Sequence, residues 1–79
     1  MKGIIDILEE IRPEFDFTKE KNFIDNGMLD SFDIISLVAD LDKSFSISIL
    51  GTDIIPENFN NLNDIALLLE KYGINKDEI

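Results

Sequence analysis

Between residues 31 and 45, Ile34, Leu37, Val38, Leu41 and Phe45 recur at intervals of three and four. Intervals of three and four return to one face of a 3.6-residue helix, so this stretch predicts an amphipathic helix over 31–44 with Phe45 closing its stripe. Such a stripe must be buried against another element, and the flanking sequence supplies mostly more helix. Ile4, Ile5, Leu8 and Ile11 share helical spacing near the start. Pro13 should stop that first helix at about Arg12, because proline disfavours helical geometry in the residue before it. Near the other end, Asn63 is placed to cap a helix carrying Ile65, Leu68, Leu69 and Tyr72, with Gly73 as its stop. Pro56 suits the first turn of a short helix over about 56–60. Residues 45–49, Phe-Ser-Ile-Ser-Ile, alternate like a strand but have no second strand to pair with, so an extended loop is expected. The predicted fold class is all-α: three main helices plus one short helix in a single domain spanning 1–79.

The segment 14–30 follows neither period. Phe15, Phe17, Phe23, Ile24, Met28 and Leu29 are scattered among polar residues, and Asn26-Gly27 marks a turn. It reads as a long loop, between the first and second helices, tacked to the core by aromatic anchors. Loops of this length are uncommon in small domains and are often functional.

Composition then limits what the bundle can do. Seventeen acidic residues against seven basic ones give a net charge of −10, which repels nucleic acid and anionic membrane. Hydrophobic residues make up 44% of the chain, too many for an acidic disordered segment. A domain this small buries roughly 60% of its unfolded surface, which leaves no room for a deep substrate cleft. Histidine and cysteine are both absent, removing the usual neutral-pH base, the thiol nucleophile and the common zinc ligands. Asp25-Asn26-Gly27 lacks the spaced oxygen ligands of an EF-hand, so no metal site is expected. Lys19 and Lys21 are two loop charges and form no basic patch. The Met-Lys-Gly start has no long apolar run, so neither signal peptide nor membrane insertion is expected, and cytoplasm is the default compartment. The expected state is a monomer without catalytic residues of its own.

Ser31 is the residue that stands out. It lies where the long loop meets the strongest helix, between Asp30 and Phe32. The commonest job of a serine there is to cap the helix. A cap side chain points out of the fold, and the unpaired N–H groups behind it favour an attached anion such as a phosphodiester. Nothing nearby could activate the hydroxyl, so an outside enzyme would have to modify it. Along the same helix Asp33, Ser36 and Asp40 line up away from the core stripe, with Phe32 and Ala39 beside them. Residues 30–42 hold four aspartates and no basic residue. A solvated face is the ordinary explanation. An outward phenylalanine beside an acidic row nevertheless fits a contact patch that steers a basic partner.

The stretch Phe23-Ile24-Asp25-Asn26-Gly27-Met28-Leu29-Asp30-Ser31-Phe32 resembles the acyl carrier proteins, including the peptidyl and D-alanyl carriers, near their motif ending in Asp-Ser-Leu. The likeness continues through the helix at 33–42 into Phe45-Ser46-Ile47, and the segment 53–59 with Leu62 and Ile65 is similar to the third-helix region of stand-alone carriers. This resemblance implies a four-helix bundle bearing a 4'-phosphopantetheine arm, taken from coenzyme A, on Ser31, with Asp30 completing the motif. The arm's thiol would carry acyl or aminoacyl groups as thioesters between biosynthetic enzymes, the chain itself being a non-catalytic carrier. The implied partners are a phosphopantetheinyl transferase, an acyl- or aminoacyl-activating ligase and acyltransferases, whose basic surfaces would read Phe32, Asp33, Ser36, Ala39 and Asp40. The chain also departs from the fatty-acid carriers. Met28-Leu29 replaces the usual Gly-Ala, Phe32 replaces leucine, and Ser36 and Lys43 stand where glutamate is common. Met28-Leu29 is closer to the D-alanyl type, and the departures together point to a discrete carrier for a specialised pathway. The alternatives are a carrier of D-alanine or another amino acid, for cell-wall modification or a nonribosomal pathway, and, from a different class, an unmodified acidic helical adaptor.

Overall fold

The computed structural model describes residues 3–75. Three α-helices follow in chain order: α1 (Ile4–Ile11), α2 (Ser31–Phe45) and α3 (Leu62–Lys71). Two single 3-10 turns, Gly51–Asp53 and Pro56–Asn58, lie between α2 and α3. There is no strand among the described residues, and residues 47–50 have no regular secondary structure. The fold is all-helical. Among the described residues no helix is long and apolar enough to cross a membrane.

The α2 stripe is buried as its spacing requires: Ile34, Leu37, Val38, Leu41 and Phe45 all face the core. Helix α1 packs against α2 through Ile4, Ile7 and Leu8, with Ile11 partly buried. This differs from the stripe read in sequence, in which Ile5 stood in place of Ile7. The run Ile4-Ile5 and Ile7-Leu8 contains two overlapping helical faces, and contact with α2 selects the one centred on Ile7. Helix α3 contributes Ile65, Leu68 and Leu69. Tyr72 follows at its end, half-buried, and Gly73 takes a left-handed conformation (φ 88°) that ends the helix.

Two boundaries are shifted. Asn61, not Asn63, caps α3, its side chain accepting the Asp64 N–H at 2.7 Å. Starting the helix earlier brings Leu62 partly against the core, which a cap at Asn63 would not do. The expected short helix contracts to the turn Pro56–Asn58. Phe59 then turns fully inward. The Asn60 backbone is taken by the long loop, because its carbonyl accepts the Phe23 N–H at 2.7 Å.

The long loop behaves as a set of anchors. Phe17, Phe23, Met28 and Leu29 are buried, and Phe15 and Ile24 pack against them. The Phe17 and Phe23 rings meet edge to face, 5.0 Å apart at 86°. Such a pair adds about 0.5–1.5 kcal/mol beyond the area it buries. The loop is therefore a structural part of the core, and it delivers the chain to the start of α2 along a defined path.

Candidate functional site

The path into Ser31 is built from hydrogen bonds, some local and some to the distant Asn60. Asn60 Oδ1 accepts the Ile24 N–H at 3.1 Å, beside the Phe23 bond already described. The Phe23 carbonyl accepts the Met28 N–H at 2.8 Å and the Leu29 N–H at 3.2 Å, closing the turn that holds Gly27 at φ 74°. With Met28 and Leu29 buried on one side of that turn, Asp30 emerges in an extended conformation (φ −105°).

Asp30, not Ser31, is the cap of α2. Asp30 Oδ1 accepts the Asp33 N–H at 2.9 Å, and Asp33 Oδ2 accepts the Asp30 N–H at 3.0 Å. The two aspartates form a reciprocal capping box. A carboxylate outcompetes a hydroxyl for this position because it is the stronger acceptor and complements the helix dipole. Ser31 becomes the first residue of the helix, exposed, its hydroxyl without a hydrogen bond among the described residues. The Ser31 hydroxyl is therefore freer than a cap's would be.

Asp33 departs furthest from expectation. The sequence reading puts it on the outer face with Ser36 and Asp40, whereas its side chain is only 14% exposed and receives the Arg12 Nε–H at 2.8 Å. Asp30 receives Arg12 Nη2 at 3.3 Å. The Asp30 carboxyl is held below the ordinary aspartate range, chiefly by the Asp33 N–H and also by the Arg12 charge. The Arg12 guanidinium is pushed upward by its bond to Asp33. Asp42 is also committed internally, accepting the Ile49 N–H at 3.0 Å. Of the four aspartates in residues 30–42, only Asp40 keeps a carboxylate unbonded among the described residues.

What remains on the outer face of α2 is largely apolar. Phe32 is 81% exposed and Ile35 is 62% exposed. Ser36 and Ala39 are exposed too. Positions 32, 35, 36 and 39 are spaced i, i+3, i+4 and i+7, so they share one face. Ile35 was not singled out in the sequence, although its three-residue offset from Phe32 is the signal that finds it. Phe32, Ser36 and Ala39 stand where they were expected, and Asp40 sits half-buried at the edge of the same row.

Elsewhere, a groove beside α1 is lined by Asp6, Glu9, Glu10, Pro13, Phe15 and Asp16 among others. Another runs past Ile55, Leu67 and Lys71. Neither is lined by Ser31. Near the second, Lys71 Nζ binds Asp53 Oδ1 at 2.8 Å, and the Tyr72 hydroxyl donates to Asp53 while accepting the Leu50 N–H at 2.9 Å. The bonds from Lys71 and Tyr72 hold the Asp53 carboxyl below its ordinary range. This network ties the Gly51–Asp53 turn to the end of α3 and takes no part in the site at Ser31. No protein-family model matches the chain, nor does any curated protein or solved structure.

Proposed function

We propose that this chain is a carrier protein in which Ser31 receives a 4'-phosphopantetheine arm from coenzyme A and the chain presents it to partner enzymes. The observation that carries the reading is the state of Ser31: exposed, without a hydrogen bond among the described residues, and at the first position of a capped helix. That environment fits an attached phosphodiester, because the first-turn N–H groups favour negative charge. The arm supplies a terminal thiol, the chemistry that a cysteine-free chain lacks, and carries acyl or aminoacyl cargo as a thioester. Attachment forms a bond from Ser31 Oγ to phosphorus and breaks the bond to the 3',5'-ADP leaving group. The hydroxyl proton must go to a base on the transferase, since the neighbouring carboxylates are engaged in the cap and with Arg12.

In this reading the turn Pro56–Asn58 is the counterpart of the short helix in a four-helix carrier bundle. The chain is non-catalytic and cytoplasmic, and Phe32, Ile35, Ser36, Ala39 and Asp40 form the face that partners meet. Met28 and Leu29 are nearly fully buried, so these two of the departures from fatty-acid carriers fill core space, whereas Phe32, Ser36 and Lys43 are exposed. The cargo in this proposal is an acyl or aminoacyl group of a specialised pathway, D-alanine included.

The test is the intact mass of the full chain after incubation with coenzyme A and a broad-range phosphopantetheinyl transferase. Addition of one arm, mapped to Ser31 and absent in Ser31→Ala, is the expected result. A chain that gains no mass, or gains it equally in Ser31→Ala, overturns the proposal and leaves an acidic adaptor. Loading with candidate adenylating enzymes then separates aminoacyl from acyl cargo.

A further inference from the structure

Helix α1 ends on Arg12, whose backbone N–H closes onto the Leu8 carbonyl at 2.9 Å. From that fixed point the guanidinium reaches the start of α2. Nε donates to Asp33 Oδ2 at 2.8 Å, Nη2 to Asp30 Oδ2 at 3.3 Å, and Nη1 to Glu14 Oε2 at 3.4 Å. Asp30 and Asp33 are the two halves of the capping box, and Ser31 lies between them in the chain. A capping box made of two carboxylates carries its own repulsion, and its field opposes any anion arriving at Ser31. Residues 22–42 contain no lysine or arginine. Lys43 is twelve residues further on, about 18 Å along the helix axis. Among the described residues Arg12 is the cation bonded to this end of α2.

We propose that Arg12 is a positioning residue for modification at Ser31: by bridging both carboxylates of the capping box it holds the first turn of α2 in place and lets an anionic group form beside them. The inference rests on the carrier reading above. It requires the planar fork of arginine, because a lysine ammonium is a single point that cannot span two carboxylates in fixed geometry.

Four full-length proteins test it: wild type, Arg12→Lys, Arg12→Gln, and Arg12→Gln combined with Asp33→Asn. In the double variant the side-chain carbonyl at position 33 still accepts the Asp30 N–H but carries no charge that needs neutralising. The first readout is amide hydrogen exchange in the unmodified chains. Arg12→Gln should speed exchange of the Asp33 amide roughly tenfold while leaving α3 amides unchanged, and the double variant should restore it. The second is kcat/KM for arm transfer, measured well below every variant's Tm. Arg12→Gln should lose about tenfold or more, as small displacements of a reacting group do. Arg12→Lys should recover little, and the double variant should return to within about threefold of wild type.

A role limited to tying α1 to α2 predicts the opposite for the double variant, since both ends of the tie are then gone. Wild-type kcat/KM in Arg12→Gln, full recovery in Arg12→Lys, or a double variant as slow as Arg12→Gln overturns the proposal and leaves the carrier reading standing. A wild-type chain that gains no mass overturns the carrier reading and this role with it.

Discussion

Phe32 separates a partner-facing residue from a core residue, and its expected behaviour can be worked out in advance. Full burial of a phenylalanine is worth about 1.5–3 kcal/mol. At 81% exposure Phe32 buries about one-fifth of its surface, so Phe32→Ala should forfeit roughly 0.3–0.6 kcal/mol. Alanine is the better helix former by about 0.5 kcal/mol, which offsets that loss. The net change in stability should be near zero. At about 4–8 °C per kcal/mol for a domain of this size, Tm should stay within about 3 °C of wild type. Leu37→Ala is the internal comparison: Leu37 is fully buried, so the same truncation should cost about 2–5 kcal/mol and lower Tm by about 8 °C or more. Partner reactions should show the reverse order. An aromatic anchor in a docked interface is worth about 2 kcal/mol or more, close to a thirtyfold loss in kcat/KM for arm transfer. Because the contact is apolar, the loss should persist between low and high salt and fall mainly on dissociation. Thermal melts by circular dichroism and mass-spectrometric time courses at two salt concentrations give both numbers. A Tm drop above about 8 °C for Phe32→Ala would place the ring in the core. An unchanged kcat/KM would remove it from the partner surface.

With the cap on Asp30, Ser31→Ala should leave stability within about 0.5 kcal/mol of wild type while abolishing modification. Asp30→Ala should lower Tm by roughly 4–8 °C, and Asp30→Asn, which retains an acceptor, by less; a large melt in Ser31→Ala would return the cap to serine. Asp53, depressed below the ~3.9 of an unfolded aspartate, contributes stability above about pH 4 that is lost as pH falls through its folded value. The Tm gap between wild type and Asp53→Asn should therefore be widest near pH 7 and close toward pH 2; a gap that persists in acid refutes that account. Self-repulsion at net charge −10 should make Tm rise with moderate salt, as the screening length falls to ~10 Å at 0.1 M. A steady fall would mean that the Arg12 and Lys71 ion pairs dominate. Asp40→Lys should slow association with a basic partner at low salt, fade in high salt and leave Tm unchanged; a rate loss that persists in high salt would assign Asp40 a direct contact.

The features that the chain displays locally were the ones the sequence revealed. The α2 stripe, the stop after Arg12, the anchored loop and the glycine at position 73 depend on spacing or on residue type, and both can be read without a partner. The rest depends on groups that meet only after folding. Arg12 and Asp33 are 21 residues apart, and no helical wheel drawn on α2 alone can show that a guanidinium from α1 covers one of its polar positions. The choice of Asn61 over Asn63 turns on the burial of Leu62. Asn60 gives no sign in the sequence that its carbonyl will receive Phe23 from 37 residues away. Ile5 and Ile7 compete for one place in the core, and packing against α2 decides between them.

These tertiary commitments change how charge is divided along α2. Asp30 and Asp33 cap the helix and bind Arg12, and Asp42 holds the backbone of the following loop. Carboxylates tied in this way contribute little as individual docking points, since a partner's cation would have to displace an existing bond. The net charge of the whole chain still acts at a distance and favours basic surfaces over acidic ones. On the proposed carrier reading, the work at contact range falls to the exposed Phe32 and Ile35, with Asp40 at the edge of their row. On that reading, long-range attraction and short-range selection reside in different residues. A partner suited to this face needs positive charge around an apolar recess, and a uniformly basic plate would satisfy only half of it.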